Sequence, residues 1–304
     1  MDVGVALPTT VGGVWDEPDL LGSWAEAIDE GPFASLSIGT RVASDAPETV
    51  ALAGAVAVWT RRLRIRCSVT PQLHSTTWLA KSMATLDRLS GGRVEVALGV
   101  GPRDEDYRAL AIDVARMNVQ EIGTIARRMR WLWQGQHLSD TVRPVGPSPV
   151  QPAGPSLLMS TGGAASARSA AGWADGVAHT ILGPGEVEVA EVLDVFASAR
   201  TAWAAEGRTA PRLAVAFWCA LEETSPQGAR AQVEDHLRDY VDWTPPAFLD
   251  DIVPRAGFTG TVPGLADTLR RFEDLGADEV TLIPTGTDVR QVAALAEAVE
   301  KTVG

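Results

Sequence analysis

The residues of this chain that could do chemistry are mostly hydroxyls and glycines, set just after short apolar runs. Ser160-Thr161-Gly162-Gly163 is the most specific of these sets, because it leads straight into a helix-forming stretch with Arg168 one turn further on. Hydroxyls and glycine N–H groups at a helix start form a site for an anion such as phosphate. A plain glycine-rich turn with a capping serine is the other reading of the same residues. Gly99-Val100-Gly101 closes a second apolar run but is not a full dinucleotide fingerprint, since Asp104 stands where a third glycine would be needed. These glycines either let the backbone approach a flat ligand or make a tight turn. Arg41 and His74 follow two further runs and are the candidates for anchoring a ligand and for acid–base work.

Other chemistries find no support. The four histidines have no metal-ligand spacing, so no metal site is expected, and no C-x-x-C, P-loop or G-x-S-x-G elbow occurs. Cys67 and Cys219 each lie in an apolar run and read as buried free thiols, which suits a reducing cytoplasm. The net charge of −13 argues against nucleic acid or an anionic membrane as a partner. Lysine occurs only at Lys81 and Lys301, so a bound phosphate would have to be held by arginine, hydroxyls or backbone N–H groups. MDVGVALP enters a strand with no basic leader, and the longest apolar run, Val50 to Trp59, is too short for a bilayer. A cytoplasmic protein is expected.

The elements that would position these residues alternate regularly. Strands are predicted at Val3–Leu7, Leu36–Gly39, Arg64–Thr70, Val94–Gly99, Ser156–Ser160, Gly176–Thr180, Arg212–Leu221 and Glu279–Ile283. Helices are predicted near 18–29, 47–60, 77–89, 119–133, 164–173, 186–206, 226–240, 264–275 and 288–303. Eight near-continuous apolar strands, each followed by a helix, predict a single (β/α)8 TIM barrel over residues 1–304. Two segments break the rhythm, as insertions after strands 4 and 7. Gly135–Pro155 is expected to cross the barrel top or rim, Trp243–Thr261 is a second irregular insertion, and both are candidate lids. Barrel chemistry gathers at the C-terminal strand ends, which places Thr40-Arg41, Ser68-Val69-Thr70, Gly99 to Gly101, Ser160 to Gly163 and His179-Thr180 there. Trp15, Trp78, Trp218 and Trp243 fall near the same end and could stack on a ligand.

The run LAKSMATLDRLSGGRVEVALGVGPRDEDYRALAID resembles the luciferase-like monooxygenase superfamily, whose members show an A-K-x-x-A-T-L-D-x-L-S-x-G-R run before a G-x-G strand end. GPFASLSIGTR, STGGAASARSAAGWADGV and LRRFEDLGADEVTLIPT resemble other stretches of the same family, so the likeness covers most of the chain. The resemblance implies a (β/α)8 barrel, a homodimer, and bound FMN or coenzyme F420 with redox chemistry at the cofactor's central edge. It implies Thr40, Ser68, Val69, Thr70, Gly99, Gly101, Ser160, Thr161, Gly162, Gly163, Arg168 and His179 as cofactor-binding residues, with Arg41 and His74 as the catalytic candidates. It also implies a non-prolyl cis peptide at Ser68-Val69. The chain departs from the family pattern at Thr40, where many members carry an acidic residue, and at Pro102, where some deazaflavin enzymes place a glutamate.

The expected activity is an oxidoreductase on a small organic substrate, by hydride transfer with F420 or by monooxygenation with reduced FMN, which a separate flavin or F420 reductase would supply. A non-catalytic flavin-binding barrel is the alternative, motivated by the missing acidic residues. A hydrolase or isomerase is disfavoured, because no paired carboxylates stand at the strand ends.

Overall fold

The computed structural model describes residues 1–138 and 143–302. In chain order the elements are β1 (Asp2–Ala6), α1 (Leu20–Glu30), β2 (Ser35–Ile38), α2 (Thr49–Trp59), β3 (Arg64–Val69), α3 (Thr76–Ser90), β4 (Val94–Leu98), α4 (Asp104–Ala109) and α5 (Val119–Trp133). There follow β5 (Ser156–Thr161), α6 (Ala164–Ser169), β6 (Gly176–Thr180), α7 (Glu186–Ala205), β7 (Arg212–Leu221), α8 (Ala229–Tyr240), α9 (Pro246–Ile252), β8 (Phe258–Gly260), α10 (Val262–Asp274), β9 (Glu279–Pro284) and α11 (Arg290–Glu300). The sheet order is β6-β5-β4-β3-β2-β1-β9-β7-β8, with a further β6–β7 pairing. Eight parallel strands with alternating helices in this closed order are a (β/α)8 barrel. Among the described residues no helix is long and apolar enough to cross a membrane.

All eight predicted strands are present, and the nine predicted helices begin within about three residues of expectation. Three elements were not foreseen. α4 is a short, charged helix, α9 starts on Pro246, and β8 is three residues long. Proline at a helix start is a usable signal; its presence in a Pro-Pro pair made the stretch read as loop instead.

The chain divides into two compact units. The first holds residues 1–37, 179–194 and 213–304. Its strands pair in register, with Val3 opposite Val280 and Phe217 opposite Leu282. Gly4 lacks a side chain for a packing reason: a Cβ there would stand 2.9 Å from Glu279 Oε1 and closer still to Ser35 Oγ. Those two buried groups hydrogen-bond to each other, Ser35 donating. Trp243–Thr261 belongs to this unit and is ordered, not irregular as expected. It forms α9 and β8, and β8 pairs with Cys219–Leu221 at the end of β7.

The second unit holds residues 38–178 and 195–212. Cys67 lies opposite Val96, and Val96 opposite Leu157, giving the apolar layer under the helices. Near the N-terminal ends of its strands, buried Glu95 accepts from Arg66 Nε at 2.6 Å and from Arg212 Nη1 at 2.8 Å. α3 ends on Gly91, whose φ of 70° is left-handed, so the Gly91-Gly92 pair closes the helix as predicted.

The expectation for Gly135–Pro155 needs correction. Residues 139–142 lie outside the described residues, but the stretch from Gly146 to Gln151 is tied to the N-terminal edge of the strands. Asp87, in the last turn of α3, accepts from the backbone N–H groups of Val150 (2.7 Å) and Gln151 (3.0 Å). Gln151 Nε2 donates to Asp87 Oδ1 and to the carbonyl of Val94, the first residue of β4. A segment leading from a helix into a strand reaches the barrel's N-terminal end, away from the face that carries chemistry, so this stretch is no lid over the strand ends.

Candidate functional site

The ends of β2, β3, β4 and β5 interlock within the second unit. Thr40 Oγ1 donates to Ser68 O at 2.7 Å and lies 2.8 Å from Thr49 Oγ1, which donates to Gly39 O. Gly101 has φ of 72°, and a Cβ on it would meet Thr70 Oγ1 at 2.7 Å. A Cβ on Gly99 would meet Ser160 Cβ at 2.9 Å. Three contacts therefore join four consecutive strand ends: Thr40 to Ser68, Thr70 to Gly101, and Gly99 to Ser160. The glycines at 99 and 101 are required by their protein neighbours and a left-handed turn, apart from any ligand.

After β5, Thr161 is buried and works inside the turn. Its Oγ1 accepts from Gly163 N at 3.0 Å and is hydrogen-bonded to Ser166 Oγ. Gly163 has φ 154° and ψ 179°, a region open essentially to glycine alone. No protein atom lies within 4 Å of where a Cβ on Gly162 or Gly163 would be. The first N–H groups of a helix have no acceptor within it, so the turn presents those of α6 beside open space.

The structure does not bring every expected residue to this place. Arg168 is exposed, and its guanidinium donates to Ser198 of α7 at 3.1 Å, so it is turned to the neighbouring helix and not to the 160–163 turn. His179 lies in the first unit, buried, with Nε2 3.6 Å from Glu191 Oε1 of α7. The alternation along β6 turns His179 to the helix layer and exposed Thr180 to the other side. Val69 is likewise turned away: it alternates with Ser68, on the face it shares with buried Cys67, so only its backbone is available. The Ser68–Val69 bond is trans, contrary to expectation; among the described residues the cis bond is Gly146–Pro147. The reason is visible in the ladder, which pairs Ser68 with Ala97 and Val69 with Leu98 without interruption.

One contributor escaped the sequence reading. Asp106 of α4 is buried, and its Oδ1 accepts from the N–H groups of Val42 (3.0 Å) and Ala43 (2.8 Å). It thereby fixes the segment just after half-buried Arg41. In sequence nothing distinguishes Asp106 from its neighbours Asp104 and Glu105, and only tertiary structure buries it while leaving Glu105 exposed.

His74 follows the short helical turn after β3 and is half-buried. Burial pushes its pKa down from the ordinary 6.5, with the Glu48 carboxylate pulling the other way. A histidine lowered in the folded state is neutral at pH 7 and can accept a proton but not give one. Below about pH 6.5 the unfolded chain binds the proton first, so this residue's effect is a loss of stability as pH falls below 6.5. His74→Gln should therefore gain stability relative to the wild type across that window and show no relative gain above pH 7, as read by urea unfolding at each pH. Burial also holds the Cys67 and Cys219 thiols up at about 12, so neither is a thiolate nucleophile. Among the described residues no group of three His, Cys, Asp or Glu side chains is placed to hold a metal ion.

A family model described as luciferase-like monooxygenase matches residues 1–268. The chain belongs to the luciferase-like monooxygenase family. Among curated relatives, an uncharacterized protein of Mycobacterium tuberculosis (strain ATCC 25618 / H37Rv) is 32% identical over 167 residues, covering 51% of this chain and 55% of the relative. A Mycobacterium bovis protein matches to the same extent. The chain thus spans about half the length of the curated relatives it matches. Among solved structures, monooxygenase RslO1 from Streptomyces bottropensis has a TM-score of 0.79 at 21% identity, with full coverage of both chains. An F420-dependent secondary alcohol dehydrogenase, in complex with an F420-acetone adduct, has a TM-score of 0.74 at 16% identity, covering 99% of this chain and 98% of that one. At these identities the likeness is one of fold.

Proposed function

We propose that this protein is an oxidoreductase that holds FMN or coenzyme F420 at the strand ends of its second unit and acts on a small organic substrate. The observation that carries this reading is the interlocked set Thr40, Ser68, Thr70, Gly99, Gly101 and Ser160, leading to the open turn at 161–163. It offers hydroxyls, backbone groups and a helix start, with no carboxylate among them, and so fits a flat, phosphorylated ligand. Family membership supports the same reading, as does the F420-bound alcohol dehydrogenase among the structures of similar fold.

Such a cofactor, when bound, supplies two-electron redox chemistry at its central ring. The chain's own part is to bind and orient. The N–H groups at the start of α6 hold the phosphate, with Thr161 keeping the turn in shape. Thr40 fixes the Ser68 carbonyl, and Ser68 and Thr70 offer hydroxyls along the edge. Arg41, steadied through Asp106, anchors an anionic or carbonyl group, and neutral His74 can accept a proton at a ring nitrogen. If FMN is the cofactor, a separate reductase has to supply it reduced.

A homodimer and a cytoplasmic location belong to the same proposal. Helix α2 carries no charged residue, yet leaves Ala51 and Val58 exposed, and α3 exposes Trp78 and Leu89, apolar surface of the kind a homodimer contact needs. The two buried free thiols agree with a cytoplasmic location.

Fluorescence titration of the purified protein with FMN and with F420 is the test. One of the two is expected to bind at micromolar Kd or tighter, and binding of neither would overturn the proposal. Binding with no turnover across a panel of alcohols, ketones, imines and alkenes would favour the non-catalytic barrel, for which the absence of an acidic residue at Thr40 and Pro102 speaks.

A further inference from the structure

The chain has two tyrosines, Tyr107 and Tyr240. Tyr107 of the second unit is fully buried, and its hydroxyl donates to Val100 O at 2.7 Å. Tyr240 closes α8 in the first unit, is half-buried, and touches two tryptophans. Its ring centroid lies 5.2 Å from that of Trp218 on β7, at an interplanar angle of 59°, and 6.0 Å from that of Trp243, at 65°. His236, one turn back on α8, adds a ring at 5.7 Å. Aromatic rings pack at such separations, and an electron passes readily between rings in contact.

The three rings lead outward. Trp218 is 6% exposed, in an apolar cluster with Val233, Leu237 and Val253, whereas Tyr240 and Trp243 are half-buried. The Trp218 Nε1–H has no hydrogen-bond acceptor among the described residues. A buried tryptophan N–H usually finds a partner, and one without an acceptor calls for an explanation. An indole that has lost an electron is a cation with a strongly acidic N–H, and in water it sheds that proton. Oxidised Trp218 has no acceptor for the proton, and its charge is costly to keep among apolar side chains. It therefore remains a strong oxidant, in contact with Tyr240.

We infer that Tyr240 is a radical sink, which returns an electron to Trp218 or Trp243 after one-electron oxidation and is itself restored by a thiol in solution. The oxidant is an oxygen-derived radical or another one-electron oxidant, and it takes one electron from an indole. Tyr240 gives one electron back and becomes a neutral phenoxyl radical. Its phenol proton goes to water when the indole is still a cation, and to the indole nitrogen when that has already deprotonated. A thiol then delivers a hydrogen atom to the phenoxyl oxygen, which regenerates the tyrosine and leaves a thiyl radical. At neutral pH a phenol gives up an electron and a proton together more readily than an indole does, so the transfer runs towards Tyr240. Its half-buried position gives the proton a way out and the thiol a way in. Trp218 is thereby spared irreversible oxidation inside the first unit.

Pulse radiolysis of the purified protein with the azide radical, which oxidises tryptophan in preference to tyrosine, tests the transfer. The indolyl absorption should decay with a matching first-order growth of the phenoxyl absorption, at a rate independent of protein concentration. Tyr240→Phe should abolish that growth, Trp243→Phe should reduce it, and Tyr107→Phe should leave it unchanged. The Trp218 arm is read separately, by near-ultraviolet illumination in air and mass spectrometry of the peptide that holds Trp218. Its oxidation products should rise severalfold in Tyr240→Phe, and glutathione should lower them in the wild type but not in that variant. Phenoxyl growth that survives in Tyr240→Phe would overturn the inference, and so would equal oxidation of Trp218 in the two proteins. Absence of first-order phenoxyl growth in the wild type would overturn it without any variant, leaving the rings as packing alone. None of these readouts depends on FMN or F420.

Discussion

Glu95→Ala is expected to lower the stability of the protein by about 3–5 kcal/mol, as read from the midpoint of urea unfolding. Glu95 is 3% exposed and lies 2.6 Å from Arg66 Nε, itself on a side chain only 4% exposed. Its other oxygen is 2.8 Å from Arg212 Nη1. Removing the carboxylate takes a buried, charge-assisted hydrogen bond from each of Arg66 and Arg212. Total stabilities are on the order of 5–15 kcal/mol, so the loss is a large share of what holds the fold. The loss should shrink if the whole set is made apolar. Replacing Arg66 by Met, Glu95 by Leu and Arg212 by Met together should recover most of the loss, because well-packed apolar groups of similar volume often match a buried ion pair. A single Glu95→Ala change costing under about 1 kcal/mol would show that water reaches the set and that it behaves as a surface pair.

Gly163→Val should weaken FMN or F420 binding at least tenfold, about 1.4 kcal/mol or more, while the protein stays folded by circular dichroism. The backbone at Gly163 lies where a residue with a Cβ is strained by on the order of 1–3 kcal/mol, so the turn must shift. No protein atom stands within 4 Å of the added Cβ, so the fold meets strain there and no clash. Any large loss of affinity therefore reports what the turn holds. Fluorescence titration decides it, and unchanged affinity would remove the 160–163 turn from the cofactor site.

The first part of the stretch that carries the family resemblance lies away from the candidate site. In LDRLSGGR, Asp87 clamps the segment entering β5, and Gly91 closes α3. Arg93 Nη1 and Nη2 hold the carbonyls of Leu63, Ala57 and Thr60 under β3. These are ties at the N-terminal end of the strands, where a barrel keeps its stability. The candidate site lies at the other end, in residues that look ordinary in sequence. Thr40 was legible as a departure from the family pattern, but its use as a strap to Ser68 was not. Arg168 and His179 show how little position along a strand says about direction. Both follow or end a strand at the expected place, yet one guanidinium turns to Ser198 and one imidazole to Glu191.

Periodicity and turn chemistry alone determined the eight strands, the helices between them and the barrel class, because those depend on neighbours a few residues apart. The hydroxyl and glycine composition of the strand ends was also visible in the sequence, and it pointed to a flat anionic ligand. Tertiary structure decided which side of each strand a residue faces and which distant groups meet. Glu95 finds a partner 117 residues away in Arg212, and Asp106 holds an N–H 64 residues away at Val42. Local sequence carries no record of such meetings, since they depend on how strands register and on which loop crosses which. The barrel was written along the chain, and the arrangement of its site was made only when the strands came side by side.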